Sequence, residues 1–596
     1  MSDIRSRRGI PPAPSLDGPL GPLRLPERFP ALDRRVGFIA GLAMLVAVAA
    51  ALGAQLLTRL IALITNLAFH QRLSSLDADP STNLLGLWVI AIPVVGGLIV
   101  GAMARFGSRA IRGHGIPEAM EQILLNDARI PKRMTLLKPI SAAIAIGTGG
   151  PFGAEGPIIA TGGALGSTLG QLIPVTSHER KTLLAAGAAA GMAATFGSPV
   201  SAVLLAIELL LFEYRSRSLV PVVLAACVAT GVRFAFIGSS PIFAMESIEE
   251  PGAVALATYA VLGGFVGLCS VAVTRLLYAI EDGFERLPIA WPWWPAIGGI
   301  AVGIIGYFAP RTLGVGYVNI EETLRGDLLG SVLLTLCVAK LASWVISLGS
   351  GTSGGTLAPL FTIGGALGAL ATRLVADLLP GHHIDPRIGA LVGMAAMFAG
   401  ASRALLASVV FAFECTRQPI GLLPLLGACT SAYFVSGLLM RNTIMTEKLA
   451  RRGVRVGSQY GVDDLELLHV GDIATRQLVT IDADITVADA RTIAEETPYQ
   501  VYPVTRNAEL VGVIDRSDLL SQDGARSVHE IVSSVAVAAY ADHTAREAVD
   551  HMRRSGVGRI VVVSNGPVRR PIGIITRRDI LAATKHPRLT PEMSQT

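Results

Sequence analysis

The sequence predicts a mostly α-helical polytopic membrane domain built as a duplication, followed by a smaller C-terminal α/β domain. Three observations carry this prediction. Of 596 residues, 51% are hydrophobic and only 16% charged, whereas a soluble globular chain carries closer to a quarter charged; the mean hydropathy is +0.54. Between Val36 and Met440 apolar segments recur, several approaching the ~20 residues that span a bilayer. Beyond Gly457 the chain turns charged and alternating, with no spanning stretch.

The elements follow in order. Residues 1–35 are Pro-rich (IPPAPSLDGPLGPL) and predict a disordered tail. The tail lacks the apolar core and small-residue cleavage site of a signal peptide. It holds Arg5, Arg7, Arg8, Arg24, Arg28, Arg34 and Arg35, and a second basic cluster (Arg441, Lys448, Arg451, Arg452, Arg455) follows the last apolar segment. By the positive-inside rule both flanks are expected to be cytoplasmic. Because these clusters abut membrane segments, nucleic-acid binding is the weaker reading of the formal net charge of +5. The membrane domain is expected over 36–441, in halves of roughly 36–240 and 250–441. A linker (442–468), two related α/β copies (469–523 and 527–587) and a short tail (588–596) complete the chain. The five cysteines sit singly in apolar segments, without metal or disulfide spacing.

The duplication is legible in the letters. GTGGPFGAEGPIIATGGALG (147–166) aligns without gaps on GSGTSGGTLAPLFTIGGALG (349–368), with nine identities in twenty. GMAATF (191–196) matches GMAAMF (393–398) at the same offset of 202 residues. Each then runs into an apolar helix that carries a glutamate, Glu208 or Glu414. Short, Gly- and Pro-interrupted segments at matching places in two halves point to a transporter-type binding site. Whether the halves run parallel or inverted is not readable from the letters.

Irregular backbone at membrane depth is tolerated where protein buries it or where it lines a polar cavity. Gly153–Pro157, Gly355–Pro359 and Gly113-His114-Gly115-Ile116-Pro117 all place a proline at the start of an apolar helix, as helix N-termini do. Helix N-termini offer free N–H groups and partial positive charge to anions, and glycine lets the backbone approach an ion closely. Three such ends would hold an anion without a full counter-charge, weakly enough to release it. Gly162, Gly163 and Gly166 read instead as close helix packing. Within this setting lies one carboxylate, Glu155, whose ionised form costs about 3 kcal/mol or more inside a membrane. A site built for an anion would offset that cost.

In this order and spacing, GHGIP, GAEGP and GGTLAP resemble the CLC family of chloride channels and proton/chloride exchangers, over essentially the whole chain. The resemblance implies two inverted halves in each subunit of a homodimer, with one pore per subunit. It implies a multi-pass protein, expected in a bacterial inner (plasma) membrane. It makes Glu155 the gate, occupying an anion site until protonated or displaced. It assigns anion binding to Gly113, His114, Gly115, Ile116, Pro117, Ala154, Gly156, Pro157, Thr356, Leu357, Ala358 and the position of Met445. Lys138 matches a family lysine that raises the local positive potential; an interfacial snorkelling lysine is the alternative.

Three residues depart from the family pattern. His114 stands where many members have a serine donor, and an imidazole there could set anion choice or pH dependence; alternatively it points to water and only its backbone matters. Leu209, immediately after Glu208, stands where exchangers carry an inner proton-relay glutamate. Met445 replaces an anion-binding tyrosine and cannot donate a hydrogen bond. The expected function is a gated chloride channel. A proton-coupled chloride exchanger, or a carrier selective for another anion such as nitrate or fluoride, is the alternative. No nucleophile–base or metal constellation suggests an enzyme, and no cofactor is required.

In the tail, DITVADARTIAEET and HTAREAVDHMRRSG each precede β-branched strands that end in GVIDRSD or GIITRRD, an α/β pattern. The pair resembles tandem CBS domains, regulatory modules that often bind adenine nucleotides. By that resemblance Thr576 and Asp579 would hold ribose and phosphate of ATP or AMP. In the first copy Asp515 replaces the hydroxyl, leaving Asp518 alone, so at most one good nucleotide site is expected. The alternative is a module that only supports dimerisation.

Overall fold

The computed structural model describes residues 34–453, 465, 468–532 and 537–583, except 247, 329, 498 and 565–567. Residues 1–33 of the expected disordered tail (1–35), most of the second half of the linker and the last residues (584–596) lie outside the described residues; Arg34 and Arg35 instead open the first helix, with Arg35 bonded to Glu179. The chain divides into two units, residues 31–460 and a C-terminal unit from 461 onward.

The first unit is helical and doubled. One half contains α1 (Arg34–His70), α2 (Ala91–Phe106), α3 (Ile116–Leu125), α4 (Met134–Gly147), α5 (Glu155–Leu172), α6 (Ser177–Phe196), α7 (Pro199–Ala206) and α8 (Ser216–Ile237). The other repeats them in order: α9 (Ala253–Glu285), α10 (Trp294–Phe308), α11 (Tyr317–Arg325), α12 (Gly330–Gly349), α13 (Leu357–Leu378), α14 (Pro386–Ser402), α15 (Leu405–Thr416) and α16 (Leu422–Leu439). Among the described residues, seven helices are long and apolar enough to cross a bilayer.

Glycine sets the helix spacing. A Cβ on Gly162 would lie 2.1 Å from the Gly187 carbonyl oxygen, and one on Gly166 would lie 2.0 Å from that of Leu183. The counterparts do the same in the second half, with Gly364 against Gly393 and Gly368 against Gly389. Such small-residue faces let helices pack where no hydrophobic force drives association.

Two glutamates reveal the relation between the halves. Glu208, just beyond α7, accepts the N–H groups of Leu406 and Ala407 in the first turn of α15, both at 3.0 Å. Glu414, in the last turn of α15, accepts those of Val200 and Ser201 in the first turn of α7, at 3.0 and 2.9 Å. Each carboxylate satisfies amides that a helix leaves unpaired and sits at the positive end of its dipole. This exchange requires α7 and α15 to run antiparallel. The halves are therefore inverted, a point the letters alone left open.

Residues 443–453 pack on this unit. α17 (Glu447–Arg451) pairs Lys448 with Glu118 at 2.9 Å, and the Arg452 guanidinium meets Glu121, both on α3.

The C-terminal unit holds two three-stranded sheets of matching topology. In the first, β1 (Ile481–Asp482) runs parallel to β2 (Val501–Arg506), which pairs antiparallel with β3 (Glu509–Asp515). In the second, β4 (Ala538–Tyr540), β5 (Arg559–Val563) and β6 (Pro571–Thr576) repeat that order. The copies exchange their leading segments: Thr475 bridges to Ile574 and His469 to Thr544, while Thr486 bridges to Ser527. Leu468, Val470 and Ile473 accordingly join the core of the second copy, and Val528 joins that of the first. Neither copy closes its core from its own contiguous sequence.

Candidate anion pathway

The three glycine-rich motifs meet. Gly113 forms a bridge with Ser353 and Gly153 one with Gly355; the Gly355 N–H donates to the Gly153 carbonyl at 3.0 Å. A Cβ on Gly156 would lie 2.0 Å from the His114 carbonyl oxygen and 3.1 Å from the Gly355 Cα, and one on Gly115 2.3 Å from the Gly156 carbonyl. At Gly156 all three loops are in contact, so a side chain there is excluded. Gly113 and Gly115 have φ near +95°, a conformation glycine adopts without steric cost.

Each loop feeds a helix. α3 starts at Gly115 with Pro117 in its first turn, α5 at Ala154 with Glu155, Gly156 and Pro157, and α13 at Thr356 with Leu357, Ala358 and Pro359. One amide is not free for an anion: the Gly115 N–H donates to Glu118 Oε2 at 2.7 Å, while Glu118 Oε1 receives Lys448. A carboxylate already occupies that place at α3, held by a lysine from beyond the last membrane span.

His114 is buried, and its Nδ1 has no hydrogen-bond partner among the described residues. The reading in which the ring points to water does not fit this burial. Lys138 is also buried, donating to the carbonyls of Ile111 and Gly113 at 2.7 and 2.8 Å. It pins the first motif from behind, so it does not snorkel. Ile116 and Pro117 are buried in the first turn of α3. Met445 is fully buried in the turn before α17, where the neighbouring Ile444 bonds the Ala401 carbonyl and accepts the Tyr278 hydroxyl. Leu209 is buried beside Glu208.

Glu155 is 1% exposed. Its Oε2 would collide with a Cβ on Gly153 (1.7 Å) and would touch one on Gly355 (3.1 Å), so the carboxylate lies between the two glycine loops. Oε1 accepts a hydrogen bond from the Tyr317 hydroxyl at 2.8 Å, while Oε2 has no partner among the described residues.

Tyr317 and its surroundings were not singled out from the sequence. The segment Gly314-Val-Gly316-Tyr317 repeats Gly113-His-Gly115-Ile116 at an offset of 201, again with both glycines at positive φ. Lys340, at 202 residues from Lys138, donates to the Thr312 and Gly314 carbonyls at 3.0 and 2.9 Å, as Lys138 does to Ile111 and Gly113. The offset of 202 read from the glycine motifs points directly at Lys340, and the Gly-x-Gly spacing points at the loop.

In the C-terminal unit Thr576 and Asp579 are adjacent. The Thr576 N–H and hydroxyl both donate to Asp579 Oδ2, at 2.8 and 2.7 Å, and the Asp579 N–H returns to Thr576 at 3.3 Å. They cap the helix Arg577–Ala583. Burial pushes the Asp579 carboxyl above its ordinary value, against the hydrogen bonds from Thr576. Asp515 precedes the helix Arg516–Ser521 without making the equivalent side-chain cap, and Asp518 is half-buried.

Two inverted helical halves that bury the Glu155 carboxylate between glycine-flanked helix N-termini define a membrane protein for anion transport. The voltage gated chloride channel family model matches residues 96–437, and the CBS domain model matches 470–523 and 528–586. The chain belongs to the voltage-gated chloride channel (CLC) family and carries a C-terminal CBS pair. It is 30% identical over 379 residues to the voltage-gated ClC-type chloride channel ClcB of Escherichia coli O81 (strain ED1a), covering 63% of this chain and 90% of the relative. It is 31% identical over 399 residues to the H(+)/Cl(-) exchange transporter ClcA of Vibrio vulnificus (strain YJ016), covering 62% and 83%. Its fold matches the crystal structure of a slow cyanobacterial Cl-/H+ antiporter with a TM-score of 0.62 at 24% identity, over 71% of this chain and 98% of the other.

Proposed function

We propose that the protein is a gated chloride channel, with Glu155 as the gate and the CBS pair as a regulatory module. The observation that carries this reading is the placement of Glu155: a buried carboxylate lodged between glycine loops, at the N-terminus of α5, with one oxygen unpaired. A carboxylate in that state is an anion held in an anion's place, and burial without a full set of partners makes it displaceable. When it leaves, the amides around Ala154, Gly156, Leu357 and Ala358 receive chloride, with His114 facing the pathway. Lys138 and Lys340 stiffen the two Gly-x-Gly loops and add positive potential.

Channel is preferred to exchanger because the inner carboxylates are committed. Glu208 is engaged with α15 and Glu414 with α7, and Leu209 offers no proton site. The relatives include both channels and exchangers, so the decisive measurement is the reversal potential across a pH gradient at symmetric chloride in reconstituted bilayers. A channel gives a potential that ignores the gradient; a shift with the gradient establishes proton coupling and removes the channel reading. The protein works as a homodimer with one pore per subunit and both termini cytoplasmic, in a bacterial inner membrane. Adenine nucleotide, where it binds, does so at Thr576 and Asp579.

A further inference from the structure

We infer that Tyr317 supplies the hydroxyl of the anion pathway: its phenol holds the Glu155 carboxylate in the closed state and donates to the anion that replaces it. The inference rests on the anion-transport reading above and adds to it a residue in the second half. The geometry carries it. The hydroxyl lies 2.8 Å from Glu155 Oε1, a charge-assisted contact stronger than one between neutral groups. No hydroxyl comes from His114 or Met445, so Tyr317 fills a role those positions cannot.

The phenol is fixed rather than adaptable. Its loop has glycines at positive φ on both sides of Val315 and is clamped from below by Lys340 through the Thr312 and Gly314 carbonyls. The ring is held edge-on by Phe196 at 6.0 Å and Phe243 at 5.9 Å between centroids. When Glu155 departs, the rigid phenol cannot follow it. The donor is left facing the vacated place, and an anion entering there satisfies it. The simpler reading is that Tyr317 is a packing aromatic whose hydroxyl happens to find an acceptor. Tyr317→Phe separates the two, because it keeps the ring and removes only the donor.

The test uses the full-length protein in liposomes, with chloride efflux and, in detergent, chloride titration by calorimetry. In the native background Tyr317→Phe is expected to raise efflux about threefold or more, because the carboxylate is released more readily. In a Glu155→Ala background, where there is no carboxylate to hold, the same change is expected to lose the threefold rise in efflux. There it should weaken chloride binding about three- to tenfold. Phe196→Leu, which loosens the ring cluster and spares the hydroxyl, is expected to weaken chloride binding clearly less than Tyr317→Phe does. Efflux and affinity unchanged by Tyr317→Phe in both backgrounds, or the same loss on Phe196→Leu, would overturn the assignment while transport stands. Absence of chloride flux from both the native protein and Glu155→Ala would instead remove the transport reading, and the tyrosine assignment with it.

Discussion

The two halves of the membrane domain share a scaffold and differ in what they place on it. Lys138 and Lys340 clamp the same pair of carbonyls in each half, and Glu208 and Glu414 cap each other's partner helix. The glycines that bring α5 onto α6 have counterparts that bring α13 onto α14. Against that background a few positions break the symmetry. Glu155 matches Leu357, Ile116 matches Tyr317, and His114 matches Val315. The preserved residues named above hold backbone, whereas two of the unpreserved ones, Glu155 and Tyr317, meet each other at 2.8 Å. One half supplies the buried carboxylate and the other the hydroxyl that donates to it.

The largest expected effect tests this division at its centre. Glu155→Ala is expected to raise chloride efflux about tenfold or more, because the group occupying the anion's place is gone. Its symmetry mate Leu357→Ala occupies the same helical position without charge and is expected to change efflux less than twofold. Equal responses in a side-by-side liposome assay would mean that the two helix starts do the same work, and the division would fail.

A smaller effect is expected where symmetry is intact. Glu208→Ala and Glu414→Ala each remove an acceptor from two first-turn amides, a loss of about 1–2 kcal/mol by analogy with helix caps. The two variants should lower the thermal unfolding midpoint in detergent by similar amounts, and the double variant by roughly their sum or less, since the caps share one helix pair. A Glu208 variant of native stability, with altered proton flux, would mark Glu208 as a proton carrier and contradict its reading as a brace.

The fold class and the glycine motifs were legible because each leaves a local trace: hydropathy, offset repeats, and proline in a first turn. Glu155 stood out because a lone charge in apolar sequence is costly. Tyr317 did not, since one tyrosine opening a polar-looking helix (YVNIEETLR) carries no local signal. Its role depends on a contact across 162 residues. The inversion of the halves was unreadable for a related reason. Identical letters describe a helix running in either direction, and only the exchanged caps fix the sense. Lys340 is an intermediate case, visible once the offset of 202 is applied beyond the glycines.

The smallest expected effect on transport comes from the second duplication, the CBS pair, which repeats the lesson in miniature. Its sheets match strand for strand, yet Thr576 and Asp579 form a closed cap in the second copy where Asp515 makes none in the first. A nucleotide held by Thr576 and Asp579, as proposed, would compete with the hydrogen bonds between them, so its binding should be modest. Equilibrium titration of the full-length protein with AMP and ATP is expected to give a single class of site, one per chain. It should weaken at least tenfold in Asp579→Ala and stay unchanged in Asp515→Ala. The raised Asp579 carboxyl adds a pH sign. Its folded value lies above its unfolded one, so the stability it contributes is greatest at acid pH and falls away as pH rises through the folded value. Asp579→Asn should therefore compare least favourably with the native chain in acid and improve toward neutrality. Two equivalent sites, or binding indifferent to Asp579, would show that the copies are as alike in chemistry as they are in topology, and the distinction drawn between preserved scaffold and unpreserved site would then hold only within the membrane.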